Sequence, residues 1–370
     1  MTVERSAEVS ALRRSRRVFV LVYALSGAAG LVYEVAWTRL LTLQLGHTVA
    51  AASTVLAAFM GGLALGAWIA GTRLSAQRSV VSNLRIYAAL EIFVAAAALL
   101  LPFALHAFVP GLAWAYADGA TPVRFGLVRV VISLALAGLP AAAMGATFPV
   151  ATAAVATASA DAARLYAANT TGAAIGALAA GFWLLPALGL RGTTWVGVGL
   201  NFAAAAGAMT IAAGLPTKTA AVATDSDQDQ QKPPRARKAK PRSVEAAGYK
   251  SARLAAFAAT ASGFSALVYE VAWTRLIAMV IGPTTYAFAT MAASFITGLA
   301  FGAALGTRVA RRTAHAERWL GLCLAIAAIS AVIAAWYTAT EMPLAVAARV
   351  TDPSVDFSTV VWQQAFAVGL

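Results

Sequence analysis

The chain has 370 residues, of which 60% are hydrophobic and only 12% charged, and its mean hydropathy is +0.74. Soluble domains run at roughly 45–50% apolar and about 25% charged, so composition excludes an ordinary soluble fold and indicates an all-α polytopic membrane protein. The net charge of +13 would point to nucleic acid in a soluble protein, but in a membrane chain the placement of the charges matters more than their sum.

Residues 1–17 carry Arg13, Arg14, Arg16 and Arg17 ahead of an apolar run, 18–45. That run exceeds the about 7–15 residues of a signal-peptide core, so it reads as a retained first helix behind a basic tail. A bilayer core of ~30 Å takes roughly 20 apolar residues per helix. On that ruler the first unit, 18–215, holds six helices at 18–45, 49–71, 86–108, 125–157, 165–188 and 193–215. Residues 216–250 are polar, charged and broken by proline; such sequence buries too little apolar surface to order itself and predicts a disordered linker. A second unit, 251–370, follows with segments at 254–281, 286–309 and 319–340 and a further start near Thr359, too close to Leu370 to span. The expectation is an incomplete second repeat and a chain that is part of a longer protein.

The ten residues LVYEVAWTRL at Leu31–Leu40 return unchanged at Leu267–Leu276, and the match extends outward to Ser26-Gly27 and Ser262-Gly263. Such a long internal repeat governs the fold reading. Lysine and arginine crowd the N-terminal tail, residues 73–85, the linker and residues 308–318, whereas the opposite ends hold only Arg124, Arg129, Arg191 and Arg349. The positive-inside rule then makes the N-terminus, the linker and the 308–318 loop cytoplasmic. With six helices between them, both copies run in one direction. The predicted fold is two parallel repeats of a facilitator-like helical bundle, the second truncated.

Each copy of the decamer places a carboxylate and a guanidinium in an apolar helix: Glu34 with Arg39, and Glu270 with Arg275. Charges there are costly and mark function by default. At i,i+5 the two side chains of one copy point apart, since helix neighbours are i,i+3 and i,i+4. Each charge therefore needs a partner on another helix, and the duplication suggests Glu34 with Arg275 and Glu270 with Arg39. Two roles stand open: a structural anchor, with the arginines snorkelling to the outer interface, or the lining of a substrate or ion path. Glu91 is a third membrane carboxylate, without a counterpart in the second unit. It either binds a cation or proton, or pairs with Arg85 or Arg78.

Glycines four apart form flat stripes that let helices approach closely. They occur as Gly62 and Gly66, as Gly298, Gly302 and Gly306, and as Gly172 and Gly176. Pro140 and Pro149 predict a kinked or broken helix. The basic run from Lys232 to Arg242 suits anionic lipid at the cytoplasmic face; with no aromatic interleaved for base stacking, it does not suit nucleic acid. One cysteine, Cys323, excludes an intramolecular disulfide. His47, His106 and His315 lie far apart without HExxH or CxxC spacing, which predicts no metal site.

The duplicated SGxxxLVYEVAWTRL, the glycine-rich second helix, MGATFP (Met144–Pro149) and LYAANTTGAAIGALAAGFWLLPALGLRG (Leu165–Gly192) together resemble the membrane region of bacterial fused major-facilitator/spermidine-synthase-like proteins. The resemblance covers nearly the whole chain outside the linker. It implies a facilitator-like transmembrane part joined to a C-terminal aminopropyltransferase-like domain. The nucleotide loop such a domain needs is not found here, because the glycine pairs lie inside apolar helices rather than at a strand-to-helix turn. The expectation is no catalytic residue and no cofactor in this chain, with any aminopropyltransferase chemistry lying beyond Leu370. Three readings follow: transport or channelling of a polyamine-like cation, a membrane anchor for the synthase domain, or a non-catalytic scaffold.

Overall fold

Every element of the computed structural model is helical among the residues it describes, which are 2–46, 49–74, 78–119, 121–156, 159–215, 244–281, 285–310, 316–350 and 359. In chain order the helices are α1 (Thr2–Leu45), α2 (Val49–Ile69), α3 (Val80–Tyr116), α4 (Pro122–Ser133), α5 (Leu139–Val155), α6 (Ser159–Ala179), α7 (Leu185–Ala213), α8 (Val244–Ile281), α9 (Thr285–Ala310) and α10 (Ala316–Val350). Six stretches are long and apolar enough to cross a membrane: Ser15–Leu45, Ala50–Arg73, Val80–Tyr116, Pro122–Val155, Asp161–Ala213 and Arg318–Glu341. The chain is thus built as a multi-pass membrane protein. Part of the linker, with the run Lys232 to Arg242, and all but one residue of the segment expected from Thr359 lie outside the described residues.

Several helices outrun their apolar stretches. α1 begins at Thr2 instead of Val18, α3 at Val80 instead of Ile86, and α8 at Val244, inside the expected linker. Backbone hydrogen bonding continues a helix past the point where hydropathy falls, so hydropathy marks the membrane segment and not the helix end. Ser79 sets the true start of α3, its hydroxyl accepting the Ser82 amide at 3.2 Å.

Proline shapes two of the long stretches. A π-helical turn at Leu134–Gly138 joins α4 to α5 just before Pro140, and another at Ala180–Leu184 joins α6 to α7 just before Pro186. A proline ring collides with the carbonyl four residues back and offers no N–H to it; widening the preceding turn relieves both problems without breaking the stretch. The expected kink at Pro140 takes this form, and Pro149 sits inside α5. The real break in the second stretch is Gly189, at φ 64° and ψ −175°, a conformation that is essentially glycine-only. It falls between the two segments expected at 165–188 and 193–215. Gly189→Ala is expected to destabilise the purified protein by about 1–3 kcal/mol, read as a lower thermal midpoint; an unchanged midpoint would mean that the turn is not held in this geometry.

Packing centres on α1, which lies against α6 and α7, while α3 lies against α5 and α7 and α2 against α5. Close approach is what the glycines permit. A Cβ at Gly66 would overlap the Ala142 backbone and one at Gly62 the Gly138 carbonyl. Likewise Gly172 and Gly176 admit the backbones of Ala24 and Ala28, and Gly27 that of Asn169. Gly298, Gly302 and Gly306 differ: they are exposed, and a Cβ there meets nothing within 4 Å. The expected packing stripe of α9 is therefore not packed among the described residues, because no described helix stands to α9 as α5 stands to α2. α9 instead uses another face, burying Ala287, Phe288, Met291, Ala292 and Ala293 against Val32 and Val35 of α1 and Ala177 and Ala180 of the α6 stretch. α8 packs on α9 and α10 on α8, and α10 leaves Ile326, Ile329, Val332 and Ile333 exposed.

Candidate functional site

The duplicated decamer builds different surroundings in its two copies. In α1, Tyr33 and Trp37 are fully buried and stack with ring centroids 5.0 Å apart, Trp37 meeting Phe59 of α2 edge-on. Tyr33 presses on Gly197 of α7, where a Cβ would overlap the ring. In α8, the equivalent Tyr269 is 38% exposed.

Of the ten positions, the glutamate is the one buried in both copies. Glu34 is 3% exposed and Glu270 4%, and their carboxyl groups lie close enough for the charges to act on each other across the boundary of α1 and α8. Val32 and Val35 of α1 and Trp273 and Ile277 of α8, their near neighbours in sequence, belong to one apolar cluster. Glu34 Oε1 has no hydrogen-bond partner among the described residues.

The expected pairs, Glu34 with Arg275 and Glu270 with Arg39, are not formed among the described residues. Arg39 is partly exposed and Arg275 exposed, and neither makes an ion pair there. What the fold brings within electrostatic reach instead is the two carboxyls themselves. The arginines, five residues on, point elsewhere around the helix.

Glu91 is the second centre. The expected partner Arg85 is exposed and stands six residues away, about 120° around the helix at 3.6 residues per turn; no ion pair joins Glu91 to Arg85 or Arg78. Because α3 starts at Val80, Glu91 lies roughly 16 Å along it, deep in the bundle. It is 1% exposed. Ser26 of α1 donates to Oε1 at 2.6 Å, and Asn201 of α7 donates through Nδ2 to Oε2 at 2.5 Å. The Tyr87 hydroxyl, one turn back on α3, lies beside Ser26 and Glu91 without meeting hydrogen-bond geometry with either. Asn201 Oδ1 and both polar atoms of Asn83 are also buried and unpartnered among the described residues. Tyr23 of α1, next to Thr147 of α5, completes the wall.

Asn83, Tyr87 and Asn201 are absent from the residues singled out by sequence, and Ser26 entered only as the edge of the repeat. Two signals were present: Asn83, Tyr87 and Glu91 recur every fourth residue on an apolar helix, one polar stripe, and Asn201 interrupts the apolar run of α7.

A further cavity of about 620 Å³ opens between α1, α5 and α6, lined by Arg16, Arg17, Asp161 and Arg164, with Arg164 3.8 Å from Asp161. Among the described residues no three His, Cys, Asp or Glu side chains gather as a metal set.

No protein-family model, curated protein or solved structure matches the chain. Fold and site together define a helical multi-pass membrane protein with two separate buried carboxylate centres.

Proposed function

We propose that the chain is the membrane module of a fused spermidine-synthase-like protein of the bacterial inner membrane, N-terminus cytoplasmic, and that it transports or channels a polyamine-like cation. In this reading the two units are facilitator-like repeats, and the boundary between them is where substrate binds. The observation that carries it is the Glu34–Glu270 pair: two buried carboxyls within electrostatic reach, with no cationic side chain paired to either among the described residues. Uncompensated charge in an apolar interior is strongly unfavourable, and a short diamine supplies two positive charges at a fixed separation. The exposed Arg39 and Arg275 stand outside the pair.

The test is ligand-induced stabilisation of the detergent-purified full chain. Putrescine or spermidine at millimolar concentration is expected to raise the thermal midpoint, and the Glu34→Gln, Glu270→Gln double variant is expected to abolish the response while folding. A ligand present at 100 times its Kd stabilises by about 2.7 kcal/mol, well within detection. No response of the unaltered protein to either amine would sink the proposal.

A further inference from the structure

We propose that Glu91, Ser26, Asn201 and Tyr87 form a binding site for one monovalent alkali cation, Na⁺ in the first place. The site is separate from the Glu34–Glu270 boundary and does not rest on the polyamine reading.

The argument begins with what the carboxyl group is already doing. Both of its oxygens accept hydrogen bonds, from Ser26 Oγ and from Asn201 Nδ2. Donors aimed at both oxygens suit a carboxylate, and the proposal takes Glu91 as the ionised form, with the cation as its counter-charge. A carboxylate buried in the bundle interior requires a counter-charge, and no lysine, arginine or histidine pairs with it among the described residues.

The second observation is independent of the carboxylate. Asn201 Oδ1 and the Tyr87 hydroxyl are buried, 3% and 0% exposed as residues, and have no hydrogen-bond partner among the described residues. Leaving such atoms unpaired costs about 1–3 kcal/mol each. Both belong to side chains that adjoin Glu91. With the carboxylate oxygens and Ser26 Oγ they are the oxygens that side chains of α1, α3 and α7 adjoining Glu91 can offer, Asn201 by turning its amide from Nδ2 to Oδ1.

Ligand type and charge then select the occupant. Hard oxygen donors without nitrogen or sulfur suit alkali and alkaline-earth cations and not zinc or copper. The set contains a single carboxylate, which balances one positive charge; a divalent ion would leave net charge buried. The site joins three helices, and α1 carries both Ser26 here and, two turns on, Glu34 at the other centre.

The experiment is saturable ²²Na⁺ binding to the detergent-purified full chain at constant ionic strength, with choline as balancing cation, alongside the Na⁺-dependent shift in thermal midpoint. The expected result is about one Na⁺ per chain, at least a tenfold loss of affinity in Glu91→Gln, and unaltered binding in the Glu34→Gln, Glu270→Gln double variant. Tyr87→Phe guards against a misfolded Glu91 variant. If the hydroxyl is only an unpaired buried group, its removal leaves Na⁺ binding intact; as a ligand, its loss weakens Na⁺ binding several-fold. The proposal is overturned by absence of ²²Na⁺ binding to the unaltered protein, by a midpoint that answers to pH and not to Na⁺, or by full Na⁺ binding in both Glu91→Gln and Tyr87→Phe.

Discussion

A Gly66→Val variant is expected to fail to assemble the α2–α5 half of the bundle, while Gly302→Val, the same change at the equivalent position of the second unit, is expected to fold normally. At Gly66 the obstacle to a side chain is the Ala142 carbonyl, its carbon and its Cα; Gly145 makes the reciprocal approach to the Leu63 backbone. A flexible side chain could move aside, but a helix backbone moves only with its whole helix. Separating α2 from α5 would also loosen the cluster in which Val55 and Phe59 of α2 pack with Ala141 and Ala143 of α5. Overpacking a tight core costs about 1–3 kcal/mol and occasionally more, and here both sides of the collision are main chain, so at least about 3 kcal/mol is expected. At Gly302 nothing among the described residues lies within 4 Å, and valine there adds only apolar surface. Monodispersity on size-exclusion chromatography and the thermal midpoint of each purified variant decide the matter; equal behaviour of the two would show that the α2–α5 approach is not tight.

The helices were legible because a membrane segment announces itself in hydropathy: 125–157 and 286–309 differ little from the observed Pro122–Val155 stretch and α9. Their ends were not, since Ser79 caps α3 and the helical extension of α8 runs into polar sequence, both matters of local hydrogen bonding. The glycines of α2 and α6 could be read as contact stripes without knowing their partners. Those of α9 carried the same sequence signal but meet no neighbour among the described residues, because a stripe specifies a capacity for packing and only the fold supplies the partner. The Glu91 centre was hidden for a similar reason. Its partners Ser26 and Asn201 lie 65 and 110 residues away, and only the convergence of α1, α3 and α7 makes them a set. Pairing opposite charges, the natural reading of Glu34, Arg39, Glu270 and Arg275, failed because it used charge and ignored register.

The register of that pair makes a prediction whose sign is opposite to the one that the charges alone suggest. Glu34→Gln and Glu270→Gln are each expected to raise the stability of the amine-free protein, and the double variant is expected to gain less than the sum of the two. At a pH high enough to ionise both carboxyls, each single change removes one buried charge and, with it, the whole of the repulsion between them. That repulsion is counted in both single variants but can be removed only once, so the cycle should show non-additivity within the about 0.5–3 kcal/mol found for residues in contact. Had Glu34 been paired with Arg275 and Glu270 with Arg39, each glutamate change would instead have left a buried cation unpaired, a loss of about 3–5 kcal/mol. Arg39→Gln and Arg275→Gln supply the control: because Arg39 is partly exposed and Arg275 exposed, and neither is ion-paired among the described residues, each is expected to change stability by less than about 1 kcal/mol. Chemical or thermal denaturation of the five variants and the unaltered protein in one detergent measures the cycle. Destabilisation by both single glutamate changes would mean that the carboxyls are held by cationic partners, and the amine site proposed between them would fall with the geometry that suggested it.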